Sequence, residues 1–128
     1  MFKYYNPNPC HKRVGDCTVR ALSKVLDQDW KETFIELAVF AYMLCDMPTS
    51  NNVWGYYLKS KNYKRFIIPD DGIENYSVEQ FCQDYPEGTY LLALQSHVIA
   101  VKDGDFFDTW DSSGEVPIFY WVKRKEDE

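Results

Sequence analysis

The chain has 128 residues, 45% of them hydrophobic, with 14 Lys and Arg against 20 Asp and Glu, a net charge of -6 and a pI near 4.9. That length suits a single domain over residues 1–128, one able to bury roughly two-thirds of its unfolded surface. The acidic balance excludes duplex nucleic acid as a partner: His11-Lys12-Arg13 and Lys123-Arg124-Lys125, the latter followed at once by Glu126-Asp127-Glu128, are short solvated segments and not a basic stripe.

In chain order, residues 1–15 form a Pro- and Asn-rich entry loop with no apolar core of signal-peptide length. No later run approaches a membrane span, so no membrane partner is expected and the product should remain in the cytoplasm of the cell that makes it. A first helix runs from Asp16 to Leu26, with Asp16 as N-cap and an apolar face of Ala21, Leu22, Val25 and Leu26. A second begins near Asp29-Trp30 and is apolar nearly all round at Phe34, Ile35, Leu37, Ala38, Phe40 and Ala41, which predicts a central packed helix. The stretch from Pro48 to Asn52 stops it and starts a third, with Val53, Trp54, Tyr57 and Leu58 on one side. Tyr63 to Ile68 reads as a strand, Pro69-Asp70-Asp71-Gly72 as a turn, and Ser77 as the cap of a short helix through Cys82. Strands follow at Thr89 to Leu94, at a hairpin around Asp103-Gly104, and at Val116 to Val122. Helices first and a mainly antiparallel sheet after define an α+β domain, with the first helix packed on the sheet.

Cys10, Cys17, Cys45 and Cys82 are irregularly spaced and contain no Cys-x-x-Cys, a pattern of free thiols that requires neither disulfide nor metal. A zinc site from Cys10, His11, Cys17 and His97 lacks the usual close ligand pairs, and no metal or other cofactor is expected. Cys17 stands apart because it falls in the first turn of a helix. Unpaired backbone N–H groups there stabilise a thiolate and an oxyanion. Asp16 works against this as a neighbouring negative charge, unless its carboxylate is occupied by backbone N–H groups at the cap.

The hairpin supplies a base and an acid. With Asp103-Gly104 as a two-residue turn, Val101 faces Phe106, Ile99 faces Asp108 and His97 faces Trp110. His97 and Asp108 then share a face on a diagonal, while Asp111 points the other way. Asp108 is therefore the expected partner of His97, and Trp110 the cover over their hydrogen bond. A slip of one residue would exchange Asp108 for Asp111.

A cysteine at a helix start, a histidine opening a strand and an acid on the next strand, in that order, resemble the arrangement of papain-like cysteine peptidases. Asp108-Thr109-Trp110 resembles their Asn-Ser-Trp segment, and Asp16-Cys17 the Asp-Cys pair of NlpC-type cell-wall peptidases. The joint pattern GDCTVRAL, PEGTYLLALQSHVIAV and DGDFFDTWDSSG is similar to small papain-like proteins of bacteriophages and prophages, and covers most of the chain. If it is phage-encoded, the cytoplasm in question is that of the bacterial host. Where the peptidases carry an oxyanion-binding glutamine six residues before the nucleophile, this chain has His11. The nearest upstream amides are Asn6 and Asn8, and Asn8, bracketed by Pro7 and Pro9, is the expected supporting donor.

These residues predict a cysteine-dependent hydrolase of peptide or isopeptide bonds, with Cys17 as nucleophile, His97 as general base and acid, and Asp108 as its orienting group. The partner is then a peptide or protein substrate, for which surplus surface aromatics among ten Tyr, eight Phe and four Trp could line a cleft. Two alternatives stand beside it: peptidoglycan amide cleavage or acyl transfer by the same three residues, and a non-catalytic papain-fold module that engages a host factor. Oligomeric state and substrate identity are not legible.

Overall fold

A computed structural model describes residues 1–69 and 76–125. The elements run β1 (Phe2–Tyr4), α1 (Cys17–Leu26), α2 (Trp30–Leu44), α3 (Asn51–Ser60), β2 (Tyr63–Ile67), α4 (Val78–Asp84), β3 (Thr89–Leu94), β4 (His97–Lys102), β5 (Asp105–Asp108) and β6 (Pro117–Lys123). The strands form one sheet in the order β1-β5-β4-β3-β6-β2. Every neighbouring pair is antiparallel except β1 with β5. The fold is α+β, as the run of helices before strands predicts. The expected turn at Pro69-Asp70-Asp71-Gly72 lies outside the described residues but for Pro69.

Alternation along the central strands builds two cores. On β4, Val98 and Ala100 join Leu91 and Ala93 of β3 beneath α1, α2 and α3. Ile99 and Val101, with Leu92, Leu94 and Phe106, face Val78, Phe81 and Cys82 of α4. Both faces of β3 and β4 are thus covered, which is why their sequences are nearly continuous apolar runs.

Local chemistry sets the element ends. Asp29, Ser50 and Ser77 accept from the backbone N–H groups of Glu32, Asn52 and Gln80 at 2.7, 3.2 and 3.2 Å. Asp103 and Gly104 have φ of 50° and 82°, both positive as a two-residue hairpin turn requires. The observed register pairs Val101 with Phe106 and Lys102 with Asp105.

Two expectations are corrected here. The central packed helix is α1, not α2: every residue from Thr18 to Ser23 is buried, because α1 lies against β4 and beneath α2. On α2 only Thr33, Leu37 and Ala41 are buried, a stripe spaced by four that meets α1 and α3, while Ile35, Val39, Met43 and, at 85% exposure, Tyr42 face outward. The entry loop also contains β1, which pairs Phe2 with Phe106 and Tyr4 with Asp108 along the edge of β5.

Candidate active site

Cys17 opens α1, and α1 packs on β4, so the thiol meets the first residue of that strand. The two-residue connection Gln95-Ser96, with Ser96 at φ 60°, returns the chain from Leu94 to His97 and sets the imidazole over the helix start. Asp108 closes β5. Its Oδ2 lies 2.7 Å from His97 Nε2, which leaves Nδ1 of the ring for the thiol. Cys17, His97 and Val98 line one cleft, where the imidazole and the Val98 N–H act on the thiol. The structure thus brings Cys17 beside the hydrogen-bonded pair of His97 and Asp108. Asp111, at the surface, instead accepts from the Ser113 N–H at 3.0 Å.

The electrostatics follow from this arrangement. Burial pushes the Cys17 thiol up, but its hydrogen bonds with His97 and the Val98 N–H, the His97 charge and the Thr18 hydroxyl outweigh it, so the thiol lies below its ordinary value. Burial works against the imidazolium too, yet Asp108 and Cys17 raise His97 to about 9. Asp108 is held below its usual range: burial, which opposes ionisation, is overcome by His97, the Thr109 N–H and Arg20. The two shifts run in the direction that favours a proton on the imidazole over one on the thiol. Cys82, buried on α4, is pushed up to about 11 by desolvation.

Arg20, which no sequence motif marks, ties the site together. Its Nη1 donates to Asp16 Oδ1 at 2.5 Å and its Nη2 to Asp108 Oδ1 at 3.0 Å, with the three side chains 7%, 4% and 0% exposed. Trp30 Nε1 donates to the other Asp16 oxygen at 2.9 Å. On Asp108, the Thr109 N–H donates to Oδ1 at 2.7 Å and Ser112 Oγ to Oδ2 at 3.1 Å. Asp108 therefore has fixed donors on both oxygens and only one orientation to offer His97. The i,i+4 spacing of Asp16 and Arg20 is the one local signal of this contact.

Two supporting residues stand differently from expectation. Asp16 occupies the N-cap position, but its side chain accepts no backbone N–H there, because Arg20 and Trp30 have taken both oxygens. The guanidinium, and not the cap, offsets its charge. Asn8 is buried within its own loop, where its Oδ1 accepts from the Cys10 N–H at 2.8 Å; Asn6 donates to the Lys12 carbonyl at 3.2 Å, and His11 is exposed. None of these three loop residues lines the cleft at Cys17. Trp110 lies against His97 with ring centroids 5.2 Å apart and planes 31° apart, although the β4–β5 ladder stops at Ala100 and Phe107. Cys45 is exposed at the C-terminal end of α2.

The cleft over the thiol encloses about 340 Å³ between Cys17, Thr18, His97, Thr49, Asn51 and Trp54, among others. Asn51 is the amide of its wall. Its Oδ1 accepts from Trp54 Nε1 at 3.1 Å, which fixes the side chain and leaves its Nδ2 for a ligand. Among the described residues no helix is long and apolar enough to cross a membrane. Comparison with known proteins finds no matching family model, no matching curated protein and no matching solved structure.

Proposed function

We propose that the protein is a small papain-like thiol hydrolase acting on a peptide or isopeptide bond. The observation that carries this reading is the placement of Cys17 in one cleft with His97, itself hydrogen-bonded to Asp108, with the thiol lowered and the imidazole raised. The Cys17 thiolate attacks the carbonyl carbon and forms a tetrahedral oxyanion. His97, as imidazolium, gives its Nδ1 proton to the leaving amine and then takes one from the water that hydrolyses the thioester. The Cys17 N–H at the start of α1 stabilises the oxyanion. With Asn8 committed to its own loop, Asn51 is the second donor we assign.

The test is labelling by a peptide electrophile, such as a peptidyl vinyl sulfone, at pH 7 with mass-spectrometric mapping. Cys17 should be modified selectively in the wild type, and His97→Ala should slow the reaction by at least tenfold. Equal labelling of Cys17 and the exposed Cys45 would remove the activated-thiol argument. A second reading, a papain-fold module that binds a host factor, is favoured by the exposed apolar residues of α2, above all Ile35, Tyr42 and Met43. It requires that Cys17→Ala leave the protein's biological effect intact, whereas the hydrolase reading requires its loss.

A further inference from the structure

A second cavity of about 330 Å³ adjoins the Cys17 cleft, and Asn51 and Trp54 belong to the walls of both. The two cavities thus lie side by side at the start of α3. Its charged lining consists of Lys59 and Arg65, and among the described residues no Asp or Glu lines either cavity, in a chain whose net charge is -6. Arg65 is steadied by the Phe119 ring, with its guanidinium carbon 5.1 Å from the centroid. The same wall holds a buried donor without an acceptor. Trp121 is 8% exposed, and its indole Nε1–H has no hydrogen-bond partner among the described residues. A buried donor left unpaired is uncommon in a folded chain, and this one belongs to a residue in the wall of a cationic cavity. Gly55 lets α3 come against this indole: a Cβ there would stand 3.2 Å from Trp121 Cζ2.

We infer that the second cavity is a substrate subsite that takes a carboxylate, received by Arg65 and Lys59 beside the Trp121 indole, and that it selects acidic peptides for the bond presented to Cys17. This rests on the hydrolase reading for its place in a reaction but not for the binding itself. A carboxylate suits the cavity because its two oxygens accept from a planar guanidinium and a neighbouring ammonium together, which a neutral amide does less strongly.

Binding is tested on the full chain carrying Cys17→Ala, by ¹H–¹⁵N spectra of the indole region with the Trp121 cross-peak assigned from Trp121→Phe. N-acetylglutamate α-amide, which offers a side-chain carboxylate, and N-acetylalanine, which offers a terminal one, are titrated beside N-acetylglutamine amide as the neutral isostere. The expected result is a saturable shift of the Trp121 cross-peak with at least one carboxylate and not with the glutamine compound, weakened about tenfold by Arg65→Ala. The carboxylate that binds more tightly identifies the source. No shift, or an equal shift with the neutral isostere, overturns the subsite. The outcome is separable from the chemistry: a shifted Trp121 in a protein whose Cys17 resists peptide electrophiles would discard the hydrolase and keep the carboxylate site. An activated Cys17 with an unmoved Trp121 would do the reverse.

Discussion

Arg20→Met removes one guanidinium and leaves two carboxylates, Asp16 and Asp108, buried on either side of the gap. Trp30 still donates to Asp16, and Thr109, Ser112 and His97 to Asp108, so neither acid is bare, but the balancing positive charge between them is gone. Breaking a buried ion pair from one side costs about 3–5 kcal/mol, a large share of the roughly 5–15 kcal/mol that holds a domain folded. For a chain of this length that lowers Tm by roughly 10–20 °C at pH 7. The penalty should depend on pH. In the wild type the Asp108 pKa is depressed, so its contribution to stability is present above the unfolded carboxylate value of about 3.9 and is lost as pH falls through the folded value. In Arg20→Met a cause of that depression is absent and the two acids repel, so protonation relieves the variant while it weakens the wild type. Circular-dichroism melts of both proteins between pH 7 and pH 2 should therefore converge at the acid end, below the unfolded carboxylate value. Arg20→Lys, which keeps the charge but cannot fork between two carboxylates, should fall between them. A Tm loss below about 3 °C at pH 7, or a difference between the proteins that does not narrow by pH 2, would refute the reasoning.

Three further outcomes follow from the same geometry. The alkylation rate of Cys17 by iodoacetamide should rise at a lower pH than a free thiol's, whereas Cys82, pushed up to about 11, stays inert there; a Cys17 profile rising only near pH 8.5, as a free thiol's does, would contradict the lowered thiol. Asp108→Ala should shift that profile upward because His97 loses its largest stabilising partner, whereas Asp111→Ala, on an exposed turn, should leave it in place; the reverse order would mean a slipped hairpin. Asn51→Ala should reduce p-nitrophenyl ester hydrolysis by about a hundredfold with the alkylation rate nearly unchanged, while Asn8→Ala should cost about 1 kcal/mol in urea denaturation with hydrolysis intact; full activity in Asn51→Ala would move the oxyanion donor elsewhere.

What is legible in this chain is local. A cap, a two-residue turn or a helical face is decided within a few residues, so Ser77, Asp103-Gly104 and the stripe from Val53 to Leu58 can be read from their neighbours alone. The hairpin register follows from its turn, so the amino-acid order by itself favours Asp108 over Asp111 beside His97, and the folded chain pairs those two residues. Tertiary structure decides whatever joins distant parts of the chain. Arg20 reaches Asp108 across 88 positions, and nothing near either residue marks the other. Once that contact forms, Asp16 is drawn off the helix cap. β1 is only three residues long and exists because β5 offers it an edge. The α2 residues have an apolar character that a buried helix and a half-exposed one share, and only the placement of α1 beneath them shows which they form. Periodicity states that a face is apolar; what covers it is settled by the rest of the molecule.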